Sequence, residues 1–156
     1  MPRSSDCNMP YEQSMLNILL AASILASQSS LPVLSIAAPQ GTMHLWISRS
    51  ERQHEFGLME RTHLDPGQGM IFVFKRSNIR FVWMKDTLIP LDMVFVGHDG
   101  TVRAVVSRVP VLPPNIPDRD IPMIFARAQY VIELGAGEAL RLGIVAGEKL
   151  KIPTTI

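Results

Sequence analysis

Cysteine is all but missing from this 156-residue chain, where Cys7 stands alone. A single thiol excludes an internal disulfide and every Cys-rich metal or redox motif. Ser4, three positions earlier, stands where a lipid-anchor signal would place leucine. An excess of charge of one sign is missing too. The formal net charge is +1 and the charged residues are scattered, so the footprint that grips a phosphate backbone is absent and nucleic acid is not an expected partner. The apolar run at residues 15–26, MLNILLAASILA, is shorter than the roughly 20 residues that span a bilayer. No G-x-S-x-G elbow is present, and His44, His54, His63 and His98 show no H-x-x-x-H spacing. Twelve prolines exclude long uninterrupted helices.

What is there begins with a candidate leader. The run at 15–26 is followed by the polar SQSS and then LPVLSIAAP, where Ser35 and Ala37 have the small-residue spacing that a signal peptidase reads. The expectation is a leader over residues 1–38, cleaved after Ala37 or Ala38. It leaves a periplasmic or secreted domain at 39–156 with no stable membrane span. That domain would hold no cysteine, which suits an oxidising compartment. Its length fits one domain with a proper core.

Residues 42–48, TMHLWIS, alternate, with Met43, Leu45 and Ile47 on one side and His44, Trp46 and Ser48 on the other, as in a half-buried strand. Ser50 and Gln53 have capping-box spacing, which predicts a helix over about 51–61, with Gly57 inside it marking a close approach. GMIFVF at 69–74 reads as a buried strand and residues 75–78 as a turn. GHDG at 97–100 reads as a tight hairpin loop between 92–96 and 101–106. Five prolines between 109 and 122 predict an extended excursion. QYVIEL at 129–134 predicts a strand, 138–142 a helical turn and 147–152 a last short strand. The fold class is therefore mainly β, a single-domain barrel or sandwich with two short helices.

GLMERTHLDPGQGMIFVF, FVWMKDTLIPLDMVF, GHDGTV, YVIELGAG and LGIVAGEKL occur in this order. Together they resemble the DUF192 (UPF0127) family of small, often exported prokaryotic proteins, over about residues 44–152. The family carries no assigned reaction, so the resemblance implies motif positions rather than chemistry. Those positions include Gly57, Arg61, Met70, Trp83, Met84, Thr87, Asp92 and Glu133. Lys85-Asp86 departs from the Lys or Arg followed by Asn that the family more often shows, and Glu148 stands where Asp is more usual.

The stretch FVWMKDTLIPLDMVF is a strand-like apolar run interrupted by charge. With period two, Trp83, Lys85 and Thr87 share one side, and Pro90 fits a bend or bulge between two strand pieces. One reading is a pocket with Trp83 and Met84 as floor, Met70 nearby, and Lys85, Thr87, Asp92 and Arg61 as polar handles. The other makes Asp92 a clamp on backbone amides and Thr87 a turn-internal bond. The functional expectation is a non-enzymatic module for a small molecule, glycan or peptide, with no cofactor. The alternative is an acid-dependent hydrolase of envelope polymers, with a carboxylate pair such as Glu60 and Asp92. A third is copper binding through Met43, Met59, Met70, Met84, Met93 and Met123, although Met in apolar runs is usually core filler.

Overall fold

The computed structural model describes residues 31–156. Cys7 and the apolar run at 15–26 lie outside the described residues. From residue 33 the chain runs β1 (Val33–Ala38), β2 (Gly41–Ser48), α1 (Glu51–Phe56), β3 (Gln68–Val82), β4 (Leu91–Val96), β5 (Val102–Val109), β6 (Ile124–Gly135) and α2 (Glu138–Arg141). The six strands form one sheet in the order β1-β2-β3-β6-β4-β5. The architecture is mainly β with two short helices, as the turn-separated strand patterns predict. Among the described residues β1 and β5 are unpaired edges, so the sheet does not close on itself.

Every neighbouring pair is antiparallel except β2 with β3, which are parallel. A parallel pair cannot be joined by a tight turn, so α1 and the coil after it cross over one face of the sheet. The opposite face carries the main core. There Met43, Leu45 and Ile47 of β2, Ile71 of β3, Val94 and Val96 of β4, and Ile132 and Leu134 of β6 pack with Ala139 and Leu142. One helix therefore sits on each face, and the alternation within each strand sorts side chains between two environments.

Local chemistry sets the element ends. Ser50 Oγ accepts from Gln53 N at 3.2 Å, while Gln53 Oε1 accepts from Ser50 N at 2.9 Å, closing the expected capping box. The helix stops at Phe56 rather than running to 61, because Gly57 takes φ +50° and ψ −127°, a conformation closed to an L side chain. β3 continues through the segment read as a turn. KRSN contains neither Gly nor Pro, and the chain absorbs the irregularity as a bulge in which residues 74–77 stand opposite residue 129. The last segment forms no strand. Its contacts with the hairpin are the Thr101–Lys149 bridge and backbone bonds such as Leu150 N to Gly100 O at 2.9 Å.

The first strand lies on the leader side of the boundary expected at residue 38. Six residue pairs register β1 against β2, and Ile36 is 1% exposed within the core. A cut after Ala37 or Ala38 would remove this strand from the sheet.

Candidate functional site

The face that α1 crosses holds a cavity of about 350 Å³. Its floor is the sheet itself, with Phe72 and Phe74 of β3 and Val131 and Glu133 of β6. One wall is α1 and the turn after it, contributing His54, Phe56, Gly57, Leu58 and Met59. The other is the end of β3 and the bend beyond it, contributing Phe81, Trp83, Lys85 and Thr87, with Met123 from the end of the proline-rich excursion. Concave sites that hold small molecules are mostly apolar with a few convergent polar groups, and this cavity fits that description.

Glu133 is the unusual group. Register pairs it with Met70 on β3 and Met93 on β4, so it shares their face while Ile132 and Leu134 turn into the core. It is only 5% exposed, and among the described residues no hydrogen bond or ion pair reaches its carboxyl. Burial alone lifts its pKa from 4.5 to about 8, because an unpaired carboxylate is poorly solvated in such a place. The acid is therefore largely protonated at neutral pH. Gly57 lets the wall come close. A Cβ there would lie 3.6 Å from Glu133 Oε2 and 3.2 Å from Phe72 Cζ.

The cations near the cavity are engaged elsewhere. Lys85 Nζ binds Asp118 Oδ2 at 2.7 Å and lies 5.4 Å from the centre of the Trp83 ring. Arg80 stacks on Phe74 and Arg61 on Trp46, each with its guanidinium carbon 3.9 Å from the ring centre. The Nε atoms of both arginines are buried without a hydrogen-bond partner. The His54 ring lies 4.4 Å from that of Phe74, and its Nε2 is 3.1 Å from Ser48 O. Burial is the largest influence on His54 and lowers its pKa below the usual 6.5, so the imidazole is held neutral.

The seven residues singled out from sequence divide. Trp83, Lys85 and Thr87, which period-two reading put on one side, all line the cavity. Thr87 also bonds within the bend, its Oγ1 donating to Lys85 O at 3.1 Å. Met70 and Met84 are buried and do not line the cavity. Arg61 leaves from the coil after α1 and covers Trp46. Asp92 does not join them. It pairs with Leu134, faces the core, and accepts from Arg108 N at 2.7 Å and from Ala139 N at 2.9 Å. That is the clamp alternative, realised across the sheet rather than within the bend. Enclosed there, Asp92 forms no open cleft with the exposed Glu60. Of the six methionines weighed as soft ligands, only Met59 and Met123 line the cavity. Among the described residues no group of three or more His, Asp or Glu could hold a metal ion.

Asp86, where Asn is more usual in the family, has φ +48°. Asn and Asp are the non-glycine residues that best tolerate the left-handed region. Its carbonyl accepts from Glu60 N at 2.9 Å, which ties the bend to the wall opposite. The position serves a backbone conformation that either residue can adopt.

The DUF192 family model, described as an uncharacterised ACR, matches residues 33–152. Two solved structures are similar over most of their length. A protein provisionally described as a transcription regulator, from Sinorhizobium meliloti 1021, is 30% identical with a TM-score of 0.65, covering 75% of this chain and 89% of that one. A protein of unknown function from Novosphingobium aromaticivorans DSM 12444 is 28% identical, also with a TM-score of 0.65, covering 78% of this chain and 85% of that one. No curated protein matches.

Proposed function

The chain belongs to the DUF192 family, and we propose that it is a non-enzymatic module that binds a small molecule in the aromatic cavity around Glu133. One observation carries the reading: Glu133, a residue only 5% exposed whose carboxyl has no partner among the described residues, lines a cavity of about 350 Å³. Buried polar groups are nearly always paired. A polar group kept unpaired at the base of a cavity is explained when a ligand completes it. The leader-like run at 15–26 supports an envelope or extracellular setting. The description of the Sinorhizobium protein as a transcription regulator is not carried over, since a net charge of +1 with scattered charged residues lacks the basic footprint that favours nucleic acid.

The test is a thermal-shift screen against sugars, peptidoglycan fragments, short peptides and amines. A ligand at 100 times its Kd adds about 2.7 kcal/mol to a fold that alone binds it. Protection should vanish in Trp83→Ala, which removes a cavity wall. The reading is lost if no compound protects, or if protection survives that substitution.

A second reading, an acid-dependent hydrolase, draws on two carboxyl groups lining the same cavity, Glu133 and Glu55. Glycoside cleavage uses a pair of carboxyl groups, one of them held protonated at neutral pH. Turnover of envelope-polymer fragments that disappears in both Glu133→Gln and Glu55→Gln would favour it over simple binding.

A further inference from the structure

We propose that the ligand of this cavity is an organic ammonium ion on an apolar body, with Glu133 as its counter-ion. The inference rests on the reading of the cavity as a binding site and names the class of ligand.

The argument starts from what surrounds the carboxyl. From α1 the cavity receives His54 and Glu55, and from the bend it receives Lys85. None of them bonds Glu133. His54 engages Ser48 O, and Lys85 is held by Asp118 at 2.7 Å. Arg61 and Arg80 are spread over Trp46 and Phe74. Among the described residues the cavity's one lysine and the two stacked arginines thus have other partners, and none of them reaches the buried acid. Neutral while the cavity is empty, this carboxyl can ionise in place only beside a positive charge, and with none offered by the described residues that charge would come from outside.

The walls point the same way. Phe72 and Trp83 present aromatic surface to the cavity, and ring faces attract ammonium groups, more strongly once water is excluded. An anionic ligand would meet a buried acid and gain nothing from the rings. The apolar body is suggested by the mouth. Phe81 and Met123 line the cavity yet are 64% and 48% exposed. Phe81 also pairs with the exposed Phe125, their ring centres 5.6 Å apart. A ligand whose ammonium reaches Glu133 can lay its apolar part along this lip.

Binding then has a proton balance. The protonated Glu133 carboxyl gives its proton to the buffer, and the resulting carboxylate pairs with the ammonium, which keeps its own protons. Titration calorimetry on the full chain reads this directly. Phenethylammonium is titrated at pH 7 in phosphate and in Tris, and 2-phenylethanol serves as the neutral comparison.

The expected result is binding of phenethylammonium at least about tenfold tighter than 2-phenylethanol, with a buffer-dependent heat equal to release of up to one proton. Glu133→Gln should lose at least about tenfold for the ammonium and keep its weak affinity for the alcohol. Should that variant fail to fold, the proton release in the native protein still decides the matter. Equal or tighter binding of the alcohol, ammonium binding without proton release, or ammonium binding unchanged in Glu133→Gln would overturn the ligand class alone. If neither probe binds and the wider thermal-shift screen is also silent, the cavity reading fails along with it.

Discussion

Asp92 and Glu133 sit on adjacent strands one register step apart, Asp92 opposite Leu134 and Met93 opposite Glu133. One step in a strand reverses the face, so two buried acids a residue out of phase have opposite fates. Asp92, fully enclosed, accepts from Arg108 N and Ala139 N. Glu133 faces the cavity with nothing to accept from.

Asp92→Ala should therefore be a stability mutation. It leaves two backbone N–H groups without an acceptor, each costing about 1–3 kcal/mol when buried. Urea denaturation should show a loss of about 2–4 kcal/mol, with the folded fraction still protected by any ligand of the cavity. A loss of protection without a loss of stability would return Asp92 to the site.

Glu133 makes stability depend on pH in a definite direction. Its folded pKa of about 8 lies above the ordinary value of 4.5, so between those values the native state holds a proton that the unfolded state has released. Its contribution is complete below about pH 4.5 and is lost as pH rises through about 8, at up to about 1.4 kcal/mol per pH unit. His54, lowered from 6.5, acts in the opposite sense and costs stability only as pH falls below that value. From pH 6.5 to 8 the slope should therefore come from Glu133, and Glu133→Gln should flatten it in urea melts taken at half-unit steps. A slope unchanged in that variant would place the titration elsewhere.

The sequence made the strands legible because alternation survives in β2 and in residues 129–134. It also put Trp83, Lys85 and Thr87 on one side, where the cavity has them. The partner of that trio was harder to see. Asp92 follows the bend closely in sequence, but Leu91–Val96 is a separate strand whose phase is set by β6, so nearness along the chain said nothing about the face. Glu133 had a signal of its own. It is a charge between Ile132 and Leu134, on the side of the strand opposite Tyr130, and it falls on a family motif position. Its significance depends on Gly57 and Phe72 coming within reach from distant segments, which no local pattern records. The helix ended early for a similar reason, since Gly57 reads as a packing glycine but acts through its positive φ.

The first strand yields a prediction about chain boundaries. Ile36 is buried among the core residues, and truncating such a side chain to alanine costs about 2–5 kcal/mol. A chain beginning at residue 31 should be more stable in urea than one beginning at 39 by at least that amount. The shorter form would also bare the edge of β2, which invites aggregation. If the protein is exported, N-terminal sequencing of the mature form should find a start before Pro32. Equal stability of the two truncations would make β1 dispensable and restore a boundary at 38.

Gly57 is where fold and site meet, so its replacement tests both. Its φ of +50° with ψ −127° is a region essentially restricted to glycine, and a strained residue costs about 1–3 kcal/mol. The added methyl would also press on Phe72 Cζ at 3.2 Å. Gly57→Ala should lose about 1–3 kcal/mol in urea. Gly135→Ala is the control, because a Cβ there meets only Glu138 Cγ at 3.7 Å, an ordinary contact, and its stability should change by less than about 1 kcal/mol. The two effects of Gly57→Ala can be separated by phenethylammonium binding. Strain alone lowers stability and leaves the affinity of the folded protein intact. Displacement of Phe72 weakens binding as well, and the 3.2 Å approach to Phe72 Cζ leads us to expect the second outcome. If neither stability nor affinity falls, the backbone at residue 57 has relaxed, and the close seating of the wall on Phe72 is not required by the fold.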